Sequence, residues 1–380
     1  MNRKDQATEA FNVVEADLQA LALWMYEHPE VGYEEFETSE RIVAYLRSRG
    51  FTVTKPAYGM ETAFVTTVGT SGREVILCAE YDALPVVGHA CGHNLIAASA
   101  LGAGIALQGL AEELGIRVTV LGTPAEEGAG GKVDLLNAGA FSDASAAMMV
   151  HPAPIDVVDP AVLAVRHVTV DFHGKDSHAS AAPQLGINAL DAFVQAYVNI
   201  STFRQALYPT DKVHGIITHG GDAPNIVPSF TRSSWYIRAA DKDRMAELSD
   251  RVEACFEAAA MATGCTWEMT EVGHRFDNLI ADPTMVGLFD ANAALLGRTM
   301  ARGADLPPGD AGSTDMGNVS HVVPTIHPEL SLDCYPAVNH QPEFAAHTVS
   351  PDGHRALRDG ALAMAWTIID MAEQNQWPIA

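Results

Sequence analysis

The chain runs to 380 residues, beyond the size at which a single hydrophobic core keeps growing, so about two domains are expected. Its 48 Asp+Glu against 23 Lys+Arg leave a formal net charge of −25, an acidity that repels phosphate backbones and anionic lipid and argues against nucleic-acid or membrane-surface binding. With 48% hydrophobic and 19% charged residues, the chain has ample apolar material for a core and does not read as disordered.

The N-terminal stretch MNRKDQATEAFNVVEADLQA carries no apolar segment of secretory length. No run reaches the roughly 18 continuous apolar residues of a membrane span. The most apolar stretch, LIAASALGAGIAL at 95–107, reads as a buried helix rich in small residues. Cys78, Cys91, Cys255, Cys265 and Cys334 are an odd, scattered set without a disulfide framework. A reduced, cytoplasmic setting is therefore expected, with thiols free to act as ligands.

In chain order, helical spacing marks residues 10–24, and 37–50 is a second amphipathic helix closed by a glycine. Apolar runs of strand length follow at 74–78, 117–121 and 146–150, separated by helical stretches at 95–114 and 131–137. Strands alternating with helices predict an α/β fold with a mostly parallel sheet flanked by helices. The alternation stops near 156–165. Beyond it come a strand at 167–172, a helix at 188–207, strands at 214–219 and 232–238, and a helix at 245–260. This reads as an inserted α+β domain over 164–276, interrupting a domain made of 1–163 and 277–380.

What ends each apolar strand carries the chemistry. The first leads to Glu80-Tyr81-Asp82, the second to Thr123-Pro124-Ala125-Glu126-Glu127, the third directly to His151. In an open α/β sheet ligands bind beyond the carboxyl ends of the strands, so three strands deliver acidic and imidazole groups to one rim. Between the first two lies His89-Ala90-Cys91-Gly92-His93-Asn94, where glycine lets Cys91 and His93 turn toward a common point. Thiolate with imidazole suits zinc, and the carboxylates admit manganese. A zinc finger is excluded by the lack of a second Cys pair, and a nucleic-acid deaminase by the lack of Pro-Cys-x-x-Cys. Adjacent side chains leaving a strand diverge, which predicts separate roles for Glu126 and Glu127, one binding metal and the other facing the activated water.

These segments resemble the M20 metallopeptidase/amidohydrolase family, and most closely its subfamily D. The matching runs are His28-Pro-Glu-Val-Gly-Tyr-Glu-Glu, Asp82-Ala-Leu-Pro, His89-Ala-Cys-Gly-His, Pro124-Ala-Glu-Glu-Gly, Met149-Val-His151, Gly186-Ile-Asn-Ala-Leu, Asn225-Ile-Val-Pro and His340-Gln-Pro-Glu-Phe344. Asn94 after Cys-Gly-His, with Gly312-Ser-Thr-Asp-Met-Gly-Asn-Val-Ser320 later, is similar to the subgroup of aminobenzoyl-glutamate hydrolases and cytosolic dipeptidases. The resemblance implies two divalent metal ions (Zn or Mn) bound by Cys91, His93, Glu127, His151 and His340, with Cys91 bridging. It makes Glu126 the general base, Asp82 an orienting residue behind the ligands and His178 the oxyanion-stabilising group.

For the last ligand, the context of His340 matches the family pattern, while His327, after a strand-like run at 322–326, is the rival. Asn225 and Arg238 are candidate substrate contacts, since arginine holds a carboxylate with two parallel hydrogen bonds. The expected function is metal-dependent cleavage of the amide bond of a dipeptide or N-acyl amino acid by a homodimer, with the inserted domain as lid and dimerisation element. Two alternatives stand beside it: a thiol hydrolase with Cys91 as nucleophile, and a non-catalytic small-molecule-binding protein.

Overall fold

The computed structural model describes residues 2–306 and 312–378. They form two compact units: residues 2–161, 279–306 and 315–378 make unit 1, and residues 162–278 with 312–314 make unit 2.

Unit 1 opens with α1 (Arg3–Asn12) and α2 (Glu15–Glu27) where the spacing predicts one helix over 10–24. The break falls at Val13-Val14, two β-branched residues in succession, with Val13 exposed and Val14 buried in the core. There follow α3 (Phe36–Ser48), β1 (Val65–Val68), β2 (Arg73–Ala79), α4 (His93–Leu107), α5 (Ala111–Leu114), β3 (Ile116–Gly122), α6 (Gly131–Asn137), β4 (Ala144–Met148) and β5 (His151–Ala153). Gly109 lies in the break between α4 and α5, a residue that weakens a helix interior, where the sequence predicts a continuous helix over 95–114.

The chain then enters unit 2 with β6 (Ala164–His173), α7 (Ala189–Phe203), β7 (Lys212–His219), β8 (Phe230–Ala239), α8 (Lys242–Thr263) and β9 (Thr266–Glu271). Back in unit 1 come α9 (Pro283–Leu295), α10 (Met316–Ser320), β10 (Thr325–Ile326), β11 (Glu329–Ser331), α11 (Pro342–His347) and α12 (Pro351–Glu373).

The main sheet of unit 1 has the order β1-β3-β2-β4-β10. All its neighbours are parallel except β1, which runs antiparallel along β3 at the edge. A short parallel ribbon of β5 and β11 sets Glu329 opposite His151. Helix α4 is buried along its whole length and packs on β2 and β3 and against α1, α2 and α12. A helix that is small and apolar all round can occupy such a central place. Its approach to the sheet is close: a Cβ at Gly104 would come within 2.4 Å of a Val120 methyl. This packing places the N-terminus of α4, with His93 as its first residue, beside the carboxyl ends of the strands.

Unit 2 is a four-stranded antiparallel sheet, β7-β8-β6-β9, with α7 and α8 on one face. Ala189, Ala192, Ala196 and Ile200 of α7, at helical spacing, and Leu248, Val252 and Phe256 of α8 bury against Val168, Phe172, Trp235 and Ile237. The strand β9 (TWEMTE) escapes sequence reading because only Trp267 and Met269 alternate in a polar segment. Among the described residues no helix is long and apolar enough to cross a membrane.

Candidate metal centre

Each strand end delivers its side chains to one buried site in unit 1. Past β2, Glu80 and Asp82 are wholly buried. Past β3, Glu126 is buried and Glu127 nearly so. His151 opens β5 just after β4. Between Cys91 and His93, Gly92 has a φ of 90°, and a Cβ there would meet the Pro152 ring at 2.8 Å. Glycine is thus required twice over, for its left-handed backbone and for the close approach that sets Cys91 Sγ 3.5 Å from His151 Nε2.

Two donor triads share Cys91. In one, Cys91, His93 and His151 have donor atoms within 4.8 Å of one another. In the other, Cys91, Glu127 and His340 do so. His340 has a φ of 70° and donates its backbone N–H to Ala90 O (2.8 Å), a bend that brings its Nε2 to 3.6 Å from Glu127 Oε1. The rival His327 follows β10 and stacks on the His151 ring at 5.3 Å between centroids, outside both triads.

The expected divergence of Glu126 and Glu127 is not what the structure shows. Ala125 takes a left-handed φ of 59°, and the chain turns rather than running on extended. Both carboxylates therefore face one imidazole, with Glu126 Oε2 and Glu127 Oε1 each 4.0 Å from His93 Nε2. Glu126 joins His93 and Glu127 in a third group of converging donors.

Hydrogen bonds fix the imidazoles. His93 Nδ1 donates to Asp82 Oδ1 (2.9 Å), while Asp82 Oδ2 accepts the Glu127 backbone N–H (2.9 Å). Burial pushes the Asp82 carboxyl up, but His93, the Glu127 N–H and Lys132 together hold it below the usual range. His151 Nδ1 donates to Pro152 O (2.8 Å). In both rings Nε2 is thereby the lone-pair atom turned inward, the arrangement found at metal-ligating histidines. Asn339, which the sequence did not single out, donates its side-chain amide to Pro152 O (3.1 Å) behind this pair.

Lys132 carries no sequence signal of a role here, Asp315 stands out only as part of the 312–320 run, and Glu80 only as a strand-end residue. Lys132 Nζ donates to Glu80 Oε1 and to Asp315 Oδ1 (2.6 Å), and its backbone N–H donates to Asp315 Oδ2 (2.8 Å). All three side chains are buried. Burial opposes the Lys132 charge, but Asp315 and Glu80 outweigh it and keep the ammonium.

The residues present fit a pair of divalent cations. Glu80, Asp82, Glu126, Glu127 and Asp315 gather five buried or nearly buried carboxyl groups around the Lys132 ammonium and the His93 imidazole, a concentration of acidic groups that cations would offset. His93 Nε2, Glu127 Oε1 and Glu80 Oε2 are buried and have no hydrogen-bond partner. Thiolate, imidazole and carboxylate donors suit zinc or manganese.

The remaining sequence candidates lie in unit 2. His178 Nδ1 accepts the backbone N–H groups of Ser180 (3.3 Å) and Ala181 (3.1 Å), so Nε2 carries the ring proton. Asn225 accepts the Ala179 N–H through its carbonyl (2.9 Å), next to the bridge between His178 and Ile226. Arg238, near the opposite end of β8, donates to Ser313 Oγ (2.8 Å).

Overlapping Cys/His/Glu triads beyond the carboxyl ends of a mostly parallel α/β sheet could hold two metal ions. Residues 165–263 match the peptidase dimerisation domain model of M20 enzymes. The chain is 38% identical to the mouse (Mus musculus) Xaa-Arg dipeptidase over 97% of its own length and 88% of that protein. It is 33% identical to a p-aminobenzoyl-glutamate hydrolase chain of Escherichia coli over 68% of this chain and 58% of that one. Among solved structures, a dinuclear metal-binding peptidase of the M20 family from Bacillus subtilis superposes with a TM-score of 0.72, at 20% identity, over 94% of this chain and 99% of that one. The chain belongs to the M20 peptidase family.

Proposed function

We propose that this chain is a homodimeric amide-bond hydrolase that holds two divalent ions and cleaves dipeptides and N-acyl amino acids. The observation that carries it is the sharing of Cys91 between two donor triads. Cys91, His93 and His151 would hold one ion, and Cys91, Glu127 and His340 the other, with Cys91 common to both. The ions supply Lewis-acid polarisation of the scissile carbonyl and a nucleophilic water at neutral pH.

Glu126 belongs to neither of these triads and is free to accept the proton of the attacking water and pass it to the departing amine. Burial, then Glu127, Glu80 and Asp315, pushes its carboxyl up. Asp82 holds the His93 ring so that Nε2 would face its ion. His178, with its proton on Nε2, donates to the carbonyl oxygen as negative charge develops there. Arg238 holds the substrate carboxylate, and Asn225 contributes a further polar contact.

Within unit 2, His178 and Asn225 lie beside the start of β8 and Arg238 near its end. From Phe230 to Arg238 a strand advances about 26 Å, at roughly 3.3 Å per residue. An extended dipeptide spans only about 7 Å. One substrate therefore meets His178 and Arg238 only if they come from different subunits. The outer edge of β7, with Ile216 exposed, and the exposed Val194, Tyr197 and Val198 of α7 form the proposed dimer surface.

The acidity of the chain and the name of its mouse relative favour a cationic residue, arginine above all, on the leaving side. Five free cysteines suit a reduced, cytoplasmic setting. The thiol-hydrolase alternative is disfavoured by the surroundings of Cys91. Burial and then Glu127 push its thiol well up, while burial and then His327 push His151 down, which weighs against a thiolate–imidazolium pair of these two residues.

A panel of Xaa-Arg, Xaa-Lys and neutral dipeptides, acyl amino acids and aminobenzoyl-glutamate tests the proposal against Glu126→Gln. The variant should bind metal and substrate but turn over none of the panel. Equal turnover by both proteins rules out catalysis at this site.

A further inference from the structure

Glu35 is a wholly buried carboxylate that begins α3 without capping it: its side chain makes no hydrogen bond to the helix N-terminus. Instead Oε1 accepts the backbone N–H of Ala125, at 2.8 Å. Ala125 is the residue in the left-handed conformation immediately before Glu126. For a residue with a Cβ, that conformation costs roughly 1–2 kcal/mol and persists only where the surroundings impose it.

The surroundings act on both faces of the residue. The Ala125 carbonyl accepts the N–H groups of Gly130 and Gly131, each at 3.0 Å, which closes the Glu126–Gly131 turn from behind. On the front, Gly32 packs so tightly that a Cβ there would lie 2.9 Å from Ala125 Cα. The same segment is tied to the other strand end: Ala83 N–H donates to Glu30 O (2.8 Å), and Val31 bridges Ala83. Glu35 thus completes a strap that crosses from the Asp82 loop to the Glu126 loop, and among the described residues it supplies the strap's only side-chain hydrogen bond to the Ala125 backbone.

The consequence of the left-handed turn is already visible at the centre. It aims both Glu126 and Glu127 at His93 Nε2, where an extended chain would send them to opposite faces. We propose that Glu35 is a positioning residue for the reaction, holding the left-handed Ala125 peptide so that the Glu126 carboxylate is set for proton transfer. This inference rests on Glu126 being the general base. Burial, with Asp82 nearby, also pushes the Glu35 carboxyl up to about 7, so a neutral isostere should fill the place well.

The experiment compares Glu35→Gln, which keeps an acceptor oxygen, with Glu35→Met, which keeps the volume and removes it. Steady-state kinetics and metal stoichiometry are measured on the same preparations. In E35M, kcat should fall about 10- to 100-fold, with KM and bound metal close to wild type. E35Q should retain most of the wild-type kcat. The double variant E35M/A125G provides a check that does not depend on E35M folding well. Glycine adopts the left-handed turn without steric cost, so kcat should recover in part. A wild-type kcat in E35M, a loss matched by an equal loss of metal, an E35Q as impaired as E35M, or no recovery in the double variant overturns the proposal. Failure of the general-base assignment would show separately, as turnover by Glu126→Gln.

Discussion

Asp82 and His93 form a buried carboxylate–imidazole pair, Oδ1 to Nδ1 at 2.9 Å, and the other Asp82 oxygen holds the Glu127 backbone at 2.9 Å. One carboxylate thus orients a residue of each proposed triad. Asp82→Asn keeps the size but weakens the acceptor facing the imidazole. Metal affinity, read by competition with a chromophoric chelator, should drop about 10- to 100-fold with little change in fold. Wild-type affinity in this variant would show that Asp82 does not tune the centre.

Lys132 pairs with both Glu80 and Asp315 at full burial. Lys132→Met leaves both carboxylates uncompensated in the interior. Denaturant unfolding of the metal-free protein should show a loss of about 3–5 kcal/mol, the usual cost of breaking a buried pair from one side. A loss below about 1 kcal/mol would mean that the network relaxes or admits water.

The length of β8 separates His178 from Arg238 within a chain, which makes subunit mixing informative. His178→Ala and Arg238→Ala should each be nearly inactive alone. Co-expressed, half the dimers are mixed and each carries one intact site, so activity should return to about a quarter of wild type. No complementation would place both residues at one site in the same chain.

His167 stacks on Tyr236 at 3.8 Å, and burial, then Arg238 and His214, lowers its pKa from 6.5 to about 4. Between these values the unfolded chain takes up a proton that the folded chain refuses. Stability therefore falls as pH drops from about 6.5 to 4, and the contribution is fully lost below the folded value. His167→Phe keeps the stack and removes the proton, so its melting temperature should fall less over that window. Identical pH slopes for the two proteins would contradict this assignment.

Much of the centre is legible in the sequence because the strand-end rule acts locally. Each apolar run names its own terminal residues, and Asp82, Glu126, Glu127 and His151 follow from that alone, while Gly92 between Cys91 and His93 signals a turn. His340 needs the family resemblance, since nothing in its spacing separates it from His327; the left-handed backbone that turns it inward is a tertiary effect. The partners of the buried network are too distant to be read. Asp315 is 183 residues from Lys132, and Glu35 is 90 from Ala125. Lysine carries no local mark of burial, because only its partners decide it. The expected divergence of Glu126 and Glu127 fails for the same reason: it assumes an extended chain where contacts from residues 32 and 35 impose a turn.

If Cys91 is common to both ions, metal content and turnover both depend on its thiol. Metal content by mass spectrometry, measured with Arg-dipeptide hydrolysis on wild type and Cys91→Ala before and after exhaustive chelation, tests it most directly. Two ions per wild-type subunit, activity lost on chelation and restored by zinc or manganese, and fewer than one ion retained by Cys91→Ala is the predicted result. Hydrolysis that survives complete metal removal would rule out a metal-dependent reaction at this site.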